Sequence, residues 1–213
     1  MKEIKTTDWP ALLQAVAQLM AQHEQQLCEM DARMGDGDLG LTMKKGYCAM
    51  PELYAQVDEA DMGKRLTKTG LKLSSLVPST MGTLMASGWM DAGKRLAGKT
   101  ALSADGFAEF LQGFADGIAK RGKCAPGECT VLDAILPAAQ AAAQAAQAGQ
   151  NLAEAAQAAF QGAQQGVEAT KQMIPKYGKA AVFAGRASGQ EDQGAVAGML
   201  LIQGLNNAIQ AAQ

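Results

Sequence analysis

The residues with the most potential for chemistry lie together in the segment DARMGDGDLGLTM, at positions 31–43. Its three acidic residues, Asp31, Asp36 and Asp38, are interspersed with flexible glycines. Asp36 and Asp38 are two positions apart, so an extended backbone points both side chains the same way. Converging carboxylates repel one another unless a cation lies between them, and Mg²⁺ accepts a few carboxylates together with water and phosphate oxygens. The segment therefore predicts a Mg²⁺ site, whose positive charge would let a phosphate group approach.

Two other interpretations of this segment fail on its residues. An EF-hand needs Glu at its twelfth position. Counting from Asp31, that residue is Thr42, and counting from Asp36 it is Tyr47. The letters at 35–40 also spell G-x-G-x-x-G, but a dinucleotide-binding turn follows a strand, whereas a helical pattern precedes this one. Its acidic residues would also repel a bare phosphate.

A second motif, GKRLAGKT at 93–100, matches the P-loop pattern at every fixed position. A P-loop follows a buried strand and opens a helix. No β-branched run precedes this segment, and a loop follows it. We therefore interpret 93–100 as a basic linker between helices.

Overall composition narrows the class of protein. The chain has 213 residues, of which 48% are hydrophobic, and a formal net charge of −2. These values suit a single domain over 1–213, and no basic face for nucleic acid or anionic membrane is evident. We expect a cytoplasmic protein, since we find neither a signal peptide nor an apolar stretch of membrane-spanning length. The four cysteines and the single histidine, His23, fit no zinc pattern.

Helix-forming residues dominate the chain, and β-branched runs are scarce. Apolar residues recur at three- and four-residue steps, most clearly between Phe107 and Ile118. Asp8 and Ser103 stand where helix N-caps are expected, and Pro137 predicts a kink. These patterns predict an all-α protein of about eight helices without a convincing strand pair, with helical segments at 8–29, 42–47, 61–73, 80–96, from 103, 130–148, 152–171 and 194–212.

Four stretches, in this order, resemble the motifs of a known family. They are DARMGDGDLGLTMKKGY, SSLVPSTMGT, RGKCAPGECTVLDAILPA and YGKAAVFAGRASGQEDQGA. The family is the L subunit of phosphotransferase-system-dependent dihydroxyacetone kinases, which is similar to the nucleotide-binding half of the ATP-dependent dihydroxyacetone kinases. The similarity covers nearly the whole chain, and four ordered motifs are far more specific than one.

The resemblance implies an antiparallel barrel or bundle of about eight amphipathic helices, with the nucleotide at one open end. It implies that Asp31, Asp36 and Asp38 bind two Mg²⁺ ions, which hold the phosphates of ADP. It also implies a nucleotide shell made of Leu39, Gly40, Leu41, Thr42, Ser79, Thr80, Gly122, Thr130, Lys179, Asp192, Gln193 and Gly194.

The resemblance further implies a mechanism in which the bound nucleotide carries the phosphoryl group, without a catalytic side chain. A phosphohistidine donor (M-type) protein would convert ADP to ATP, and the phosphoryl group would pass to dihydroxyacetone, or a similar small ketose, on a separate sugar-binding K subunit. The chain length suits this subunit form better than a fused kinase. Two alternatives stay open: a kinase subunit that uses free ATP on another small ketose, and a non-catalytic regulatory module. A homodimer is also left open.

Several positions depart from the family pattern. Leu39 replaces a residue that is often His or Thr, and Lys179 stands where the family has Arg. The family's Asp-Pro-Gly reads Asp192-Gln193-Gly194 here. Lys cannot reproduce the planar fork of an arginine, so these departures affect contacts to the nucleotide and leave the three aspartates intact.

Overall fold

Helices form almost all of the regular structure. The computed structural model describes residues 2–182 and 189–212, apart from the side chains of residues 179 and 180. The helices are α1 (Trp9–Gln22), α2 (Glu24–Ala32), α3 (Leu39–Ala55), α4 (Met62–Leu76), α5 (Thr80–Arg95), α6 (Ala104–Gly122), α7 (Leu132–Gln147), α8 (Leu152–Thr170), α9 (Gly178–Val182) and α10 (Gln193–Ala211). The two strands are β1 (Ile4–Lys5) and β2 (Ala101–Leu102).

Eight of these helices pack into a closed ring. Around the ring each of α1, α3, α4, α5, α6, α7, α8 and α10 contacts the next, and α10 returns to α1. The short helix α2 lies outside this circuit and packs mainly on α3. Within the described residues, this arrangement confirms the predicted all-α barrel of about eight helices.

Large aromatic side chains fill the interior between α1, α5 and α6. The ring centroids of Trp9 and Trp89 lie 5.8 Å apart in an edge-to-face arrangement, and Phe110 lies 5.2 Å from Trp9. Phe114 approaches Trp89 edge-on at 5.6 Å. All four side chains are fully buried. Aromatic contacts of this kind contribute packing energy beyond burial alone, so they fix the spacing of the three helices.

The N-terminal segment differs from the single helix predicted at 8–29. The helix breaks at His23, which ends α1 and begins α2, and α2 then continues to Ala32. The break lets α2 turn onto α3, whereas α1 packs between α3 and α10. Asp8 precedes α1 as predicted, but its carboxylate accepts a hydrogen bond from the Lys5 N–H at 2.7 Å instead of capping the helix.

The remaining differences are smaller. Strands β1 and β2 pair antiparallel, with Ile4 opposite Leu102, and the sequence did not predict this pair. A two-residue strand is too short for an alternating pattern to be recognised. Helix α3 is longer than the predicted 42–47, and Pro137 lies within α7. Among the described helices, none is both long and apolar enough to cross a membrane.

Candidate metal and nucleotide site

The three predicted metal ligands come together. Asp31 lies in the last turn of α2, while Asp36 and Asp38 lie on the loop that leads into α3. One carboxylate oxygen of each residue lies within 4.8 Å of the others. Asp31 is 8% exposed, whereas Asp36 and Asp38 are exposed. Oxygen donors of this type suit a hard cation such as Mg²⁺.

Asp31 also shapes the loop that carries the other two acids. Its Oδ2 accepts hydrogen bonds from the backbone N–H groups of Gly37, at 2.9 Å, and Asp38, at 3.1 Å. Gly37 has a φ of +75°, which glycine adopts without strain. A Cβ at position 35 would lie 2.4 Å from Asp31 Oδ1, so Gly35 lets the loop close over the carboxylate. The glycines therefore bring the three acids together.

A cavity of about 330 Å³ lies beside this cluster. It has the size of a small-molecule pocket. Besides the three acids, the predicted shell residues that line it are Leu39, Thr42, Ser79, Thr80, Thr130, Asp192, Gln193 and Gly194. The structure thus brings residues from four distant parts of the chain to one cavity.

These residues lie at or just before the N-termini of four helices. Leu39 begins α3, Thr80 begins α5 and Gln193 begins α10, while Thr130 lies just before α7. The four helices are every second member of the ring. Helix N-termini carry partial positive charge and unpaired N–H groups, which favour anions such as phosphate. The cavity therefore combines a candidate cation site with helix N-termini that favour anions.

Three predicted shell residues do not line the cavity. Leu39 and Thr42 share a face of α3, and the residues between them face elsewhere. Leu41 is 56% exposed, and a Cβ at Gly40 would lie 1.9 Å from the Glu24 carbonyl oxygen of α2. Gly122 ends α6, where an added Cβ would meet the side chains of Cys124 and Leu84 at 3.1 Å.

Part of the predicted C-terminal clamp lies outside the described residues. These are residues 183–188. Lys179 belongs to α9, and its side chain is also outside the described part of the chain.

Further lining residues were not predicted. They are Met34, Gly35, Met81, Leu84, Cys129, Val131, Tyr177 and Gly178. Met81 and Leu84 follow Thr80 on the first turns of α5, so helical spacing could have indicated them. Tyr177 lies in the loop before α9, where its hydroxyl donates to the Lys123 carbonyl oxygen at 2.8 Å.

Asp192 has a structural role at the cavity wall. Its carboxylate accepts from the Ala195 N–H at 2.7 Å and so caps α10, and its own N–H donates to Thr170 Oγ1 at 3.0 Å. Burial, helped by the negative charges of Asp133 and Asp31, raises the pKa of the Asp192 carboxyl to about 7, although backbone hydrogen bonds lower it. Asp133 accepts hydrogen bonds from the N–H groups of Gly127 and Thr130, and so shapes the loop before α7.

The P-loop-like segment at 93–100 lies elsewhere and has a different structure. It covers the end of α5 and the turn before β2, so a helix precedes it and a strand follows. The Gly98 N–H donates to Asp61 Oδ2 at 2.6 Å, and Lys99 pairs with Glu109. A carboxylate thus takes a backbone donor that a phosphate would need, which excludes a P-loop here.

The fold and the site together define a class: a closed ring of helices with an acidic cluster beside a cavity at which alternate helices begin. Residues 33–207 match the DAK2 domain model, and the chain belongs to this family.

Similar proteins support this family assignment and confirm the resemblance that was found from the sequence motifs. The chain is 26% identical to the PEP-dependent dihydroxyacetone kinase, ADP-binding subunit DhaL of Escherichia coli (strain K12), over 83% of this chain and 84% of that protein. A second such DhaL subunit, from Listeria innocua, is 28% identical over 90% of this chain and 89% of its own length. The D-erythrulose kinase of Mycolicibacterium smegmatis is 30% identical over 85% of this chain, but only 32% of that protein is matched.

A solved structure shares the fold. The dihydroxyacetone kinase from C. freundii in complex with AMP-PNP and Mg²⁺ aligns with a TM-score of 0.71 and 24% identity. The alignment covers 93% of this chain and 33% of that one.

Proposed function

We propose that this chain is the nucleotide-carrying subunit of a dihydroxyacetone kinase of the phosphotransferase type. Bound ADP accepts a phosphoryl group from a phosphohistidine donor protein and passes it to dihydroxyacetone, or a similar small ketose, on a separate sugar-binding K subunit. One observation carries the proposal: three carboxylates meet within 4.8 Å beside a cavity where four helices begin. The ADP-binding subunits among its relatives support it.

The acidic cluster would hold two Mg²⁺ ions through Asp31, Asp36 and Asp38, whose carboxylate oxygens lie within 4.8 Å of one another. Mg²⁺ accepts a few carboxylates together with water and phosphate oxygens. When bound, Mg²⁺ would neutralise the phosphate charge that otherwise opposes phosphoryl transfer.

The remaining residues that line the cavity could bind the phosphates and the base of the nucleotide. The N-termini of α3 and α5, with Thr42, Ser79 and Thr80, offer N–H and hydroxyl donors to phosphate oxygens. Met81, Leu84 and the ring of Tyr177 supply an apolar side of the cavity for the base. This division places the phosphates near the acids and the base away from them.

His23 does not suit the role of phosphoryl carrier. It precedes Asp31 by eight residues, which along α2 is about 12 Å, whereas reacting atoms must approach to about 3–3.5 Å. Its Nδ1 instead lies 2.6 Å from the Gln26 side-chain oxygen. We therefore propose that the nucleotide carries the phosphoryl group, and that no side chain of this protein becomes phosphorylated.

Exposed apolar side chains near the cavity suit contact with the K subunit. Tyr177 lines the cavity and is 41% exposed. Leu41, next to the lining residue Thr42, and Ile174, three residues before Tyr177, are more exposed still. The ketose must reach the end of the nucleotide, so its subunit has to cover this face. We further propose a single domain over 1–213 that acts in the cytoplasm, where it would meet its phosphohistidine donor. A homodimer remains a prediction for sedimentation analysis.

The experiment follows the phosphoryl group. The chain is purified with Mg²⁺, examined by native mass spectrometry for bound ADP, and then charged by a phosphohistidine donor carrying labelled phosphate. We expect the label in bound ATP and then on the ketose when a K subunit is added. His23→Ala should behave like the wild type, and Asp38→Asn should lose both nucleotide and label.

Other results would point elsewhere. Acid-labile label on the polypeptide that His23→Ala removes would make the histidine the carrier. Label that enters the ketose only from free ATP would favour the ATP-dependent kinase. No transfer from either donor would favour a regulatory module.

A further inference from the structure

Gln193, the first residue of α10, reaches across to the acidic cluster. Its Nε2 donates to Asp31 Oδ1 at 3.3 Å, although the two residues are 162 positions apart in the chain. Its other polar atom, Oε1, is shielded from solvent and has no hydrogen-bond partner among the described residues. A buried acceptor without a donor is unfavourable, so the contact that holds the amide in this position needs an explanation.

Hydrogen bonds hold both oxygens of the Asp31 carboxylate. Asp31 Oδ2 accepts two backbone hydrogen bonds from the loop, and Oδ1 accepts the one from Gln193. Both Asp31 and Gln193 line the cavity. The Gln193 amide therefore fixes one oxygen of a candidate metal ligand, while the loop fixes the other.

The start of α10 holds this amide in place. Asp192 caps the helix through Ala195 and is itself tied to the buried Thr170 at the end of α8. The backbone of Gln193 is thus fixed between two helices, and its side chain has a short path to Asp31. The related motif reads Asp-Pro-Gly, and proline has no side-chain donor or acceptor, so this contact is a feature of this chain.

We propose that Gln193 is a positioning residue of the metal site. Its Nε2 holds Oδ1 of the Asp31 carboxylate, which would be a ligand of the cation. The unpaired Oε1 is the cost of holding the amide in this position. Groups that hold metal ligands in this way set metal affinity. The inference rests on the proposed function only for the presence of the metal.

The test measures metal binding to the full chain without nucleotide. Mn²⁺, used as a paramagnetic substitute for Mg²⁺, is titrated by electron paramagnetic resonance, and Mg²⁺ by calorimetry. Gln193→Met removes both polar atoms at similar length and should weaken binding about 10- to 100-fold. Gln193→His keeps an N–H donor at a similar reach and should bind Mg²⁺ close to the wild type, since imidazole is a poor ligand for Mg²⁺ itself. Gln161→Met, at an exposed position of α8, is the matched control and should bind like the wild type.

The outcomes separate this inference from the proposed function. A merely structural role would make Gln193→His as weak as Gln193→Met, and this result would overturn the inference, as would an unchanged affinity in Gln193→Met. If the wild type binds neither ion, the metal site and the inference both fail. If the wild type and both Gln193 variants bind equally while ADP retention persists, only the inference fails. Circular dichroism of each variant checks that the helices are intact.

Discussion

At the scale of residues, the site depends on carboxylates in unequal surroundings. Asp36 and Asp38 face solvent, whereas Asp133 and Asp192 are buried and use backbone N–H groups as partners. The exposed acids are suited to a cation, and Asp133 and Asp192 shape the backbone around it. Asp31, which is 8% exposed, combines both roles, because it meets the other two acids and also accepts N–H bonds from the loop.

Asp192 leads to a prediction about pH. Its pKa is raised from 3.8 to about 7, so over this range the folded state binds more protons than the unfolded state. The stabilisation from protonation is present below pH 3.8 and is lost as the pH rises through about 7. We expect the unfolding free energy of the wild type, relative to Asp192→Asn, to fall between about pH 4 and about pH 7. Asn is also a good N-cap, so the cap itself is kept.

The measurement is chemical denaturation of both proteins at several pH values with EDTA present. EDTA is needed because a bound cation would lower the pKa of nearby carboxyls. If the unfolding free energies of the two proteins changed in parallel with pH across this range, Asp192 would have the same pKa in the folded and unfolded states. The argument from burial would then be wrong.

At the scale of elements, the function of a sequence motif depends on the secondary structure that precedes it. The P-loop-like segment 93–100 ends α5 instead of following a buried strand. Its turn is held by Asp61, which also caps α4 through the Lys64 N–H at 2.8 Å. The glycine and lysine of the motif therefore connect helices and do not bind phosphate.

Lys99→Ala tests this conclusion. The variant should bind Mg²⁺–ADP within about twofold of the wild type, because its partner is Glu109 and not the cavity. Loss of this surface pair should cost at most about 1 kcal/mol of unfolding free energy. Lys94→Ala, which breaks a similar surface pair with Asp91, is the control. Loss of ADP binding in Lys99→Ala alone, with intact helices, would restore the P-loop interpretation.

At the scale of the whole molecule, the cavity exists only when the ring is closed. Its wall comes from α3, α5, α10 and the loop before α7, so an unfolded chain has no comparable site. A ligand that binds only the folded state stabilises it by about 2.7 kcal/mol at 100 times its Kd. For a chain of this size, 1 kcal/mol corresponds to a Tm shift of about 2–4 °C.

Mg²⁺ and ADP together should therefore raise the Tm by roughly 5–10 °C at saturation. EDTA should cancel the increase, because the three carboxylates would then repel the diphosphate. Calorimetry or a thermal shift assay gives the values, with Asp38→Asn as the control that should not respond. A Tm that changes with neither ADP nor EDTA would contradict a nucleotide site in this cavity.

The sequence by itself determined the helices and the acidic cluster. The apolar stripe from Phe107 to Ile118 and the acids from Asp31 to Asp38 are local patterns, and short-range geometry converts such patterns into structure. The break at His23 and the pairing of β1 with β2 were not predicted, because packing on distant elements decides them.

Only the tertiary structure decided which residues reach the cavity. Residues 39–42 were predicted as one continuous shell, but α3 begins at Leu39 and its rotation turns Leu41 outward. The contact between Gln193 and Asp31 joins the two ends of the chain, and no local pattern encodes it. The spacing of residues determines which side chains share one face of a helix. Which neighbouring element this face contacts depends on how the ring of helices closes.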